Sequence, residues 1–75
     1  MINCGDRITL LREHYGFTQE ELAHKLGISR SALSHYEKNR RTPDYETLIN
    51  LADLFQVSVD YMFGRTKHNE REHLA

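Results

Sequence analysis

The chain holds a single cysteine, Cys4, so no intramolecular disulfide can form and a disulfide-framed secreted miniprotein is excluded. A reducing compartment suits such a chain, and Cys4 reads as a small, half-buried side chain of the first helix. It contains no long apolar run, and no basic stretch leads into an apolar one. Membrane-spanning and secretory readings therefore drop out, leaving a cytoplasmic location as the expectation. Internal repeats and low-complexity tracts are absent as well. At 75 residues the chain permits one small domain, near the lower end of what a core can stabilise without staples. It also lacks an excess of positive charge, with a formal net charge of −1.

What is present is concentrated between Phe17 and Lys38. Thr18 followed by Glu21 has the spacing of a capping box, with Phe17 and Leu22 placed as a hydrophobic staple, so a helix starts there. Leu22, Ala23 and Leu26 share one face, and Gly27 can take the left-handed conformation that ends a helix, which bounds this one at 19–26. Ser29 can cap a further helix, 30–38, with Ile28 and Leu33 repeating the staple and Ala32, Leu33, Tyr36 and Glu37 facing inward. A turn this short makes the two helices cross steeply, and the small Ala23 suits the close approach.

Three more helices account for the other apolar clusters. Asn3 can cap a helix over 4–15, whose core stripe is Ile8, Leu11 and Tyr15 and which Gly16 closes. Pro43 ends an irregular segment, and Asp44 is a good cap for a helix over 45–55 carrying Leu48, Leu51, Ala52 and Phe55. Ser58 caps a short helix, 59–63, ended by Gly64. The expected fold is all-α, a compact bundle of five short helices forming one domain over 1–64. Residues 65–75 are polar without a sustained apolar stripe, and the expectation there is a mobile tail.

The outer face of helix 30–38 presents Ser29, Arg30, Ser31, Ser34, His35 and Lys38, short or hydrogen-bonding side chains suited to the edges of base pairs. Charge distribution supports that reading where the total does not. Between positions 30 and 41 stand Arg30, Lys38, Arg40 and Arg41 against Glu37 alone, a net +3 that leaves −4 on the remainder. Acidic side chains elsewhere, among them Asp44, Glu46, Asp53 and Asp60, would repel DNA and restrict docking to one face. A solvated basic loop is the plainer explanation of the same charges.

Taken together, these positions closely resemble the phage-repressor-like helix-turn-helix regulators, the Cro-type or XRE-type family. The resemblance covers roughly residues 5–64. Its motifs are Arg7-Ile8, Leu11-Arg12, Gly16-x-Thr18-Gln19, Leu22-Ala23, Gly27, Leu33-Ser34, Tyr36-Glu37, Arg41-x-Pro43, Leu48, Ala52 and Val57-Ser58. It implies a lambda-repressor-like DNA-binding domain with no cofactor, metal or evident small-molecule ligand. The implied function is that of a transcriptional regulator, by default a repressor, reading the major groove of double-stranded DNA.

In that family's pattern Arg30, Ser31 and His35 read bases. Gln19, Ser29, Ser34, Lys38, Asn39, Arg40 and Arg41 lie where the family contacts the DNA backbone, and Arg12 with Glu37 matches a structural salt bridge. The family binds as a twofold homodimer through its fourth and fifth helices, which singles out Tyr61, Met62 and Phe63. An arginine at position 30 can grip guanine bidentately or hold a phosphate; His35 can address a base or stay solvated; and Tyr61 to Phe63 can equally cap the core. The chain is either a complete minimal regulator, like phage Cro-type or restriction-modification control proteins, or the DNA-binding part of something larger.

An enzyme is not expected. Ser34 and His35 are neighbours on a helix and point about 100° apart, so they cannot act as nucleophile and base. His68 and His73 do not have the HExxH zinc spacing. The serious rival is a protein-interaction or antitoxin-type adaptor of the same fold, which would be expected to expose Leu, Phe or Met on the recognition face. RNA is disfavoured because no aromatic stacking platform is evident.

Overall fold

The computed structural model describes residues 3–64; the expected tail over 65–75 lies outside the described residues. Five helices follow one another: α1, Cys4–His14; α2, Gln19–Leu26; α3, Arg30–Glu37; α4, Tyr45–Phe55; and α5, Val59–Met62. No strand occurs among the described residues. Where the expected helices run one residue longer, at Tyr15, Lys38 and Phe63, those residues are the C-caps.

Local chemistry sets these boundaries. Asn3 accepts from the Asp6 amide at 3.0 Å to open α1. Thr18 accepts from the Glu21 amide at 3.1 Å, and Glu21 returns the bond to the Thr18 amide at 2.9 Å, completing the capping box. Ser29 and Ser58 cap α3 and α5 in the same way, each accepting from the amide three residues on at 3.0 Å. Gly27 ends α2 at φ 72°, with the Ile28 amide reaching back to the Ala23 carbonyl at 3.0 Å.

Asp44 holds the N-cap position of α4 as expected, but without a side-chain bond to a backbone amide; its carboxylate accepts from the Thr47 hydroxyl at 2.6 Å. That bond keeps the Asp44 carboxyl below the ordinary carboxylate range.

Packing of α1 and α2 on α3, and of α5 on α4 and α1, surrounds a core of Ile8, Leu11, Leu22, Ala23, Leu33, Tyr36, Leu48, Leu51, Ala52, Phe55, Val57 and Met62. Two expectations are corrected here. Tyr15 is not part of the core stripe but lies 47 % exposed, with its ring 5.2 Å from that of Phe55 and its hydroxyl donating to the Phe55 carbonyl at 3.2 Å. The end of a helix reaches the rim of so small a core, and an amphipathic tyrosine can pack its ring there and keep its hydroxyl bonded. Met62 is fully buried within this chain, so its side chain cannot meet a second copy. The unbranched thioether fills the space that α5 closes over the core. Cys4 is half-buried, and burial pushes its thiol up.

Candidate nucleic-acid interface

The three-residue turn leaves the outer side of α3 uncovered. Gln19, Arg30, Ser31, Ser34, His35, Lys38 and Arg40 line one open concavity. It unites all three side chains expected to read bases with four of those expected at the DNA backbone. No carboxylate lines it, so its charge comes from two arginines and a lysine. A wider depression over α2 includes Glu20 and Glu21 in its lining and would repel phosphates. The remaining expected backbone residues lie outside the concavity. Ser29 has its hydroxyl oxygen committed to the α3 cap, Asn39 turns its side-chain oxygen towards α1, and exposed Arg41 has its guanidinium 6.0 Å from the Tyr36 ring.

Beneath this surface a half-buried polar network fixes α3. Arg12 and Glu37 pair at 2.7 Å from Nε to Oε2, with their side chains only 15 % and 6 % exposed. Nη2 of Arg12 donates to Oε1 of Glu37 at 3.3 Å, and Nη1 donates to the Phe17 carbonyl at 2.9 Å. The guanidinium thereby joins α1, the turn before α2 and the end of α3. Gln19 adds a bond that sequence reasoning missed, Nε2 donating to Oε1 of Glu37 at 3.0 Å. An amide nitrogen carries two hydrogens, so the one left over can still serve a phosphate at the mouth of the concavity. Each carboxylate oxygen of Glu37 thus has a partner, and the outer surface of α3 rests on a satisfied support.

Among the described residues the exposed large apolar side chains, Leu10, Tyr15, Tyr45 and Phe63, all lie outside α3. Among the described residues no group of three or more His, Cys, Asp or Glu could hold a metal ion, and the expectation about His68 and His73 lies outside them. No helix among the described residues is long and apolar enough to cross a membrane.

A family model for the helix-turn-helix matches residues 8–62. The chain belongs to that family. It is 41 % identical over 74 residues to the HTH-type transcriptional regulator ImmR of Bacillus subtilis, a match covering 95 % of this chain and 58 % of that protein. This helix-turn-helix chain thus spans little more than half the length of such relatives. The P22 c2 repressor in complex with a synthetic operator superposes with a TM-score of 0.79 at 30 % identity, covering 84 % of this chain and 96 % of that one. The N-terminal DNA-binding domain of SinR from Bacillus subtilis gives 0.75 at 35 % identity, covering 87 % and 94 %. The five-helix architecture is that of phage-repressor DNA-binding domains.

Proposed function

We propose that this chain is a sequence-specific double-stranded DNA-binding regulator, a repressor that inserts α3 into the major groove as a twofold homodimer. The carrying observation is the carboxylate-free concavity of α3 set on the half-buried Arg12–Glu37–Gln19 network. Within it Arg30, Ser31 and His35 address base edges, Arg30 by a bidentate grip on guanine that discriminates by about 1–3 kcal/mol. Gln19, Ser34, Lys38 and Arg40, with Ser29, Asn39 and Arg41 around the rim, hold phosphates and set register. The likeness to a repressor bound to its operator supports this docking. Such a protein works where the chromosome is, in the cytoplasm of a bacterial cell. A domain seated on a promoter represses simply by occupying the site that polymerase needs.

Residues 1–64 make up the DNA-binding unit. Phe63, 36 % exposed, and half-buried Tyr61 are the side chains of the α5 region left to meet a second copy once Met62 is assigned to the core. A dimer spaces its recognition helices about 34 Å apart, one turn of DNA. Selection of genomic fragments on the purified protein at near-physiological salt tests the proposal. Recovery of a palindromic motif with half-sites one turn apart supports it. No enrichment over random DNA overturns it and favours the adaptor reading.

A further inference from the structure

The end of α3 is attached to α1 by a contact that DNA binding alone does not require. Asn39 follows α3 in the left-handed region at φ 61°, and the Arg40 amide reaches back to the His35 carbonyl at 2.9 Å. Oδ1 of Asn39 accepts from the backbone amide of Gly5 at 3.0 Å, across a sequence separation of 34. That amide belongs to the first turn of α1, where no intrahelical acceptor is available. Asn3 serves the Asp6 amide in the same turn, so the segment just after α3 supplies a cap that the local sequence does not.

The approach is close enough to exclude any side chain at position 5. A Cβ on Gly5 would stand 2.4 Å from the Tyr36 carbonyl oxygen, 2.7 Å from that of Glu37 and 2.6 Å from Oδ1 of Asn39. Two of these obstacles are backbone oxygens of α3's last turn, which cannot swing aside as a long side chain would. The carbonyl end of α3 therefore rests on the amide end of α1, an arrangement that the two helix dipoles favour.

We infer that Gly5 and Asn39 form a positioning clasp that sets the pose of the recognition helix, so that Asn39 governs base selectivity through α3. The inference rests on the DNA-reading role proposed above. Because only the oxygen of the amide can accept from Gly5, the Nδ2 hydrogens are what Asn39 has left for a phosphate. A bidentate base contact weakens as its two hydrogen bonds are bent or stretched, whereas attraction to phosphates declines slowly with distance. Releasing the clasp therefore lowers binding to the cognate site more than binding to random DNA.

Three variants test this, by amide exchange in NMR and by fluorescence anisotropy on the site recovered by the wild type and on random DNA. Asn39→Gly keeps the left-handed backbone and removes the acceptor. It is expected to remain folded, to speed exchange of the Gly5 amide, and to lower the cognate-to-random ratio about three- to tenfold, as for one lost hydrogen bond. Asn39→Asp keeps the acceptor and should restore both Gly5 protection and the ratio, while its added negative charge weakens binding to every DNA alike. Gly5→Ala should lower the ratio while leaving the side chains that line the α3 concavity unaltered, though its Cβ presses on Asn39; should it fail to fold, the two Asn39 variants still decide. Unchanged Gly5 exchange in Asn39→Gly, or equal losses on both DNAs, overturns the clasp and leaves Asn39 a phosphate contact only. If the wild type recovers no site at all, the DNA-reading role fails, while Gly5 exchange still decides whether the clasp exists.

Discussion

Replacing Glu37 by alanine is expected to be among the most damaging single changes available outside the apolar core. The carboxylate is 6 % exposed and takes bonds from Arg12 Nε, Arg12 Nη2 and Gln19 Nε2. Its removal strands a guanidinium that is itself only 15 % exposed, and breaking one side of such a pair costs about 3–5 kcal/mol. Arg12 retains the Phe17 carbonyl as acceptor, which places Glu37→Ala near the lower end, about 3 kcal/mol. For a domain of this size each kcal/mol shifts Tm by about 4–8 °C, so a fall of about 12–24 °C is expected. Urea denaturation followed by circular dichroism measures the free energy directly. Adding Arg12→Met removes the stranded charge and should recover a substantial part of the loss, giving the two positions a coupling well above that of an exposed pair. A cost below about 1 kcal/mol for Glu37→Ala, the range of surface ion pairs, would refute the argument from burial.

Arg41→Ala removes an exposed cation from the segment after α3, and should weaken all DNA sequences alike while reducing the slope of log affinity against log salt by about 1. An unchanged slope would take Arg41 out of the interface. The Asp44 carboxyl is held low by the Thr47 hydroxyl, so the native state favours its charged form. That contribution is full above the ordinary carboxylate pKa and is lost as pH falls through the lowered folded value. Asp44→Asn should accordingly flatten this part of the acid limb of the stability profile, measured by denaturation at a series of acidic pH values; an identical profile would contradict the assignment.

Most of the helix boundaries were legible because they rest on interactions three or four residues apart. The Thr18–Glu21 box, the Ser29 and Ser58 caps and the left-handed Gly27 all stand as their spacing implies. Asp44 takes the N-cap position that its residue type implies, but its carboxylate bonds the Thr47 hydroxyl three residues on, a side-chain partner that cap statistics do not weigh. At Met62 the sequence pattern alone could not separate a core residue from a dimer contact, since both demand an apolar side chain. The polar side chains of α3 were expected on one face, and they line one concavity.

The bonds from Gln19 to Glu37 and from the Gly5 amide to Asn39 have no comparable signal. They join residues 18 and 34 positions apart, and no helical period relates such pairs. At Asn39 a hint existed: it follows α3 where a left-handed residue ends the helix, a place asparagine tolerates. Its partner is set by the packing of α1 on α3, which no local pattern encodes.

The central claim is that α3 reads base sequence, and Arg30 carries the sharpest form of it. The most direct measurement is the affinity of Arg30→Ala for the site selected by the wild type and for random DNA of equal length, at one fixed salt concentration. Loss of a bidentate guanine contact should cost about 1–3 kcal/mol on the selected site, with a much smaller loss on random DNA. Equal losses on both would reassign Arg30 to a phosphate and contradict base reading from the first turn of α3.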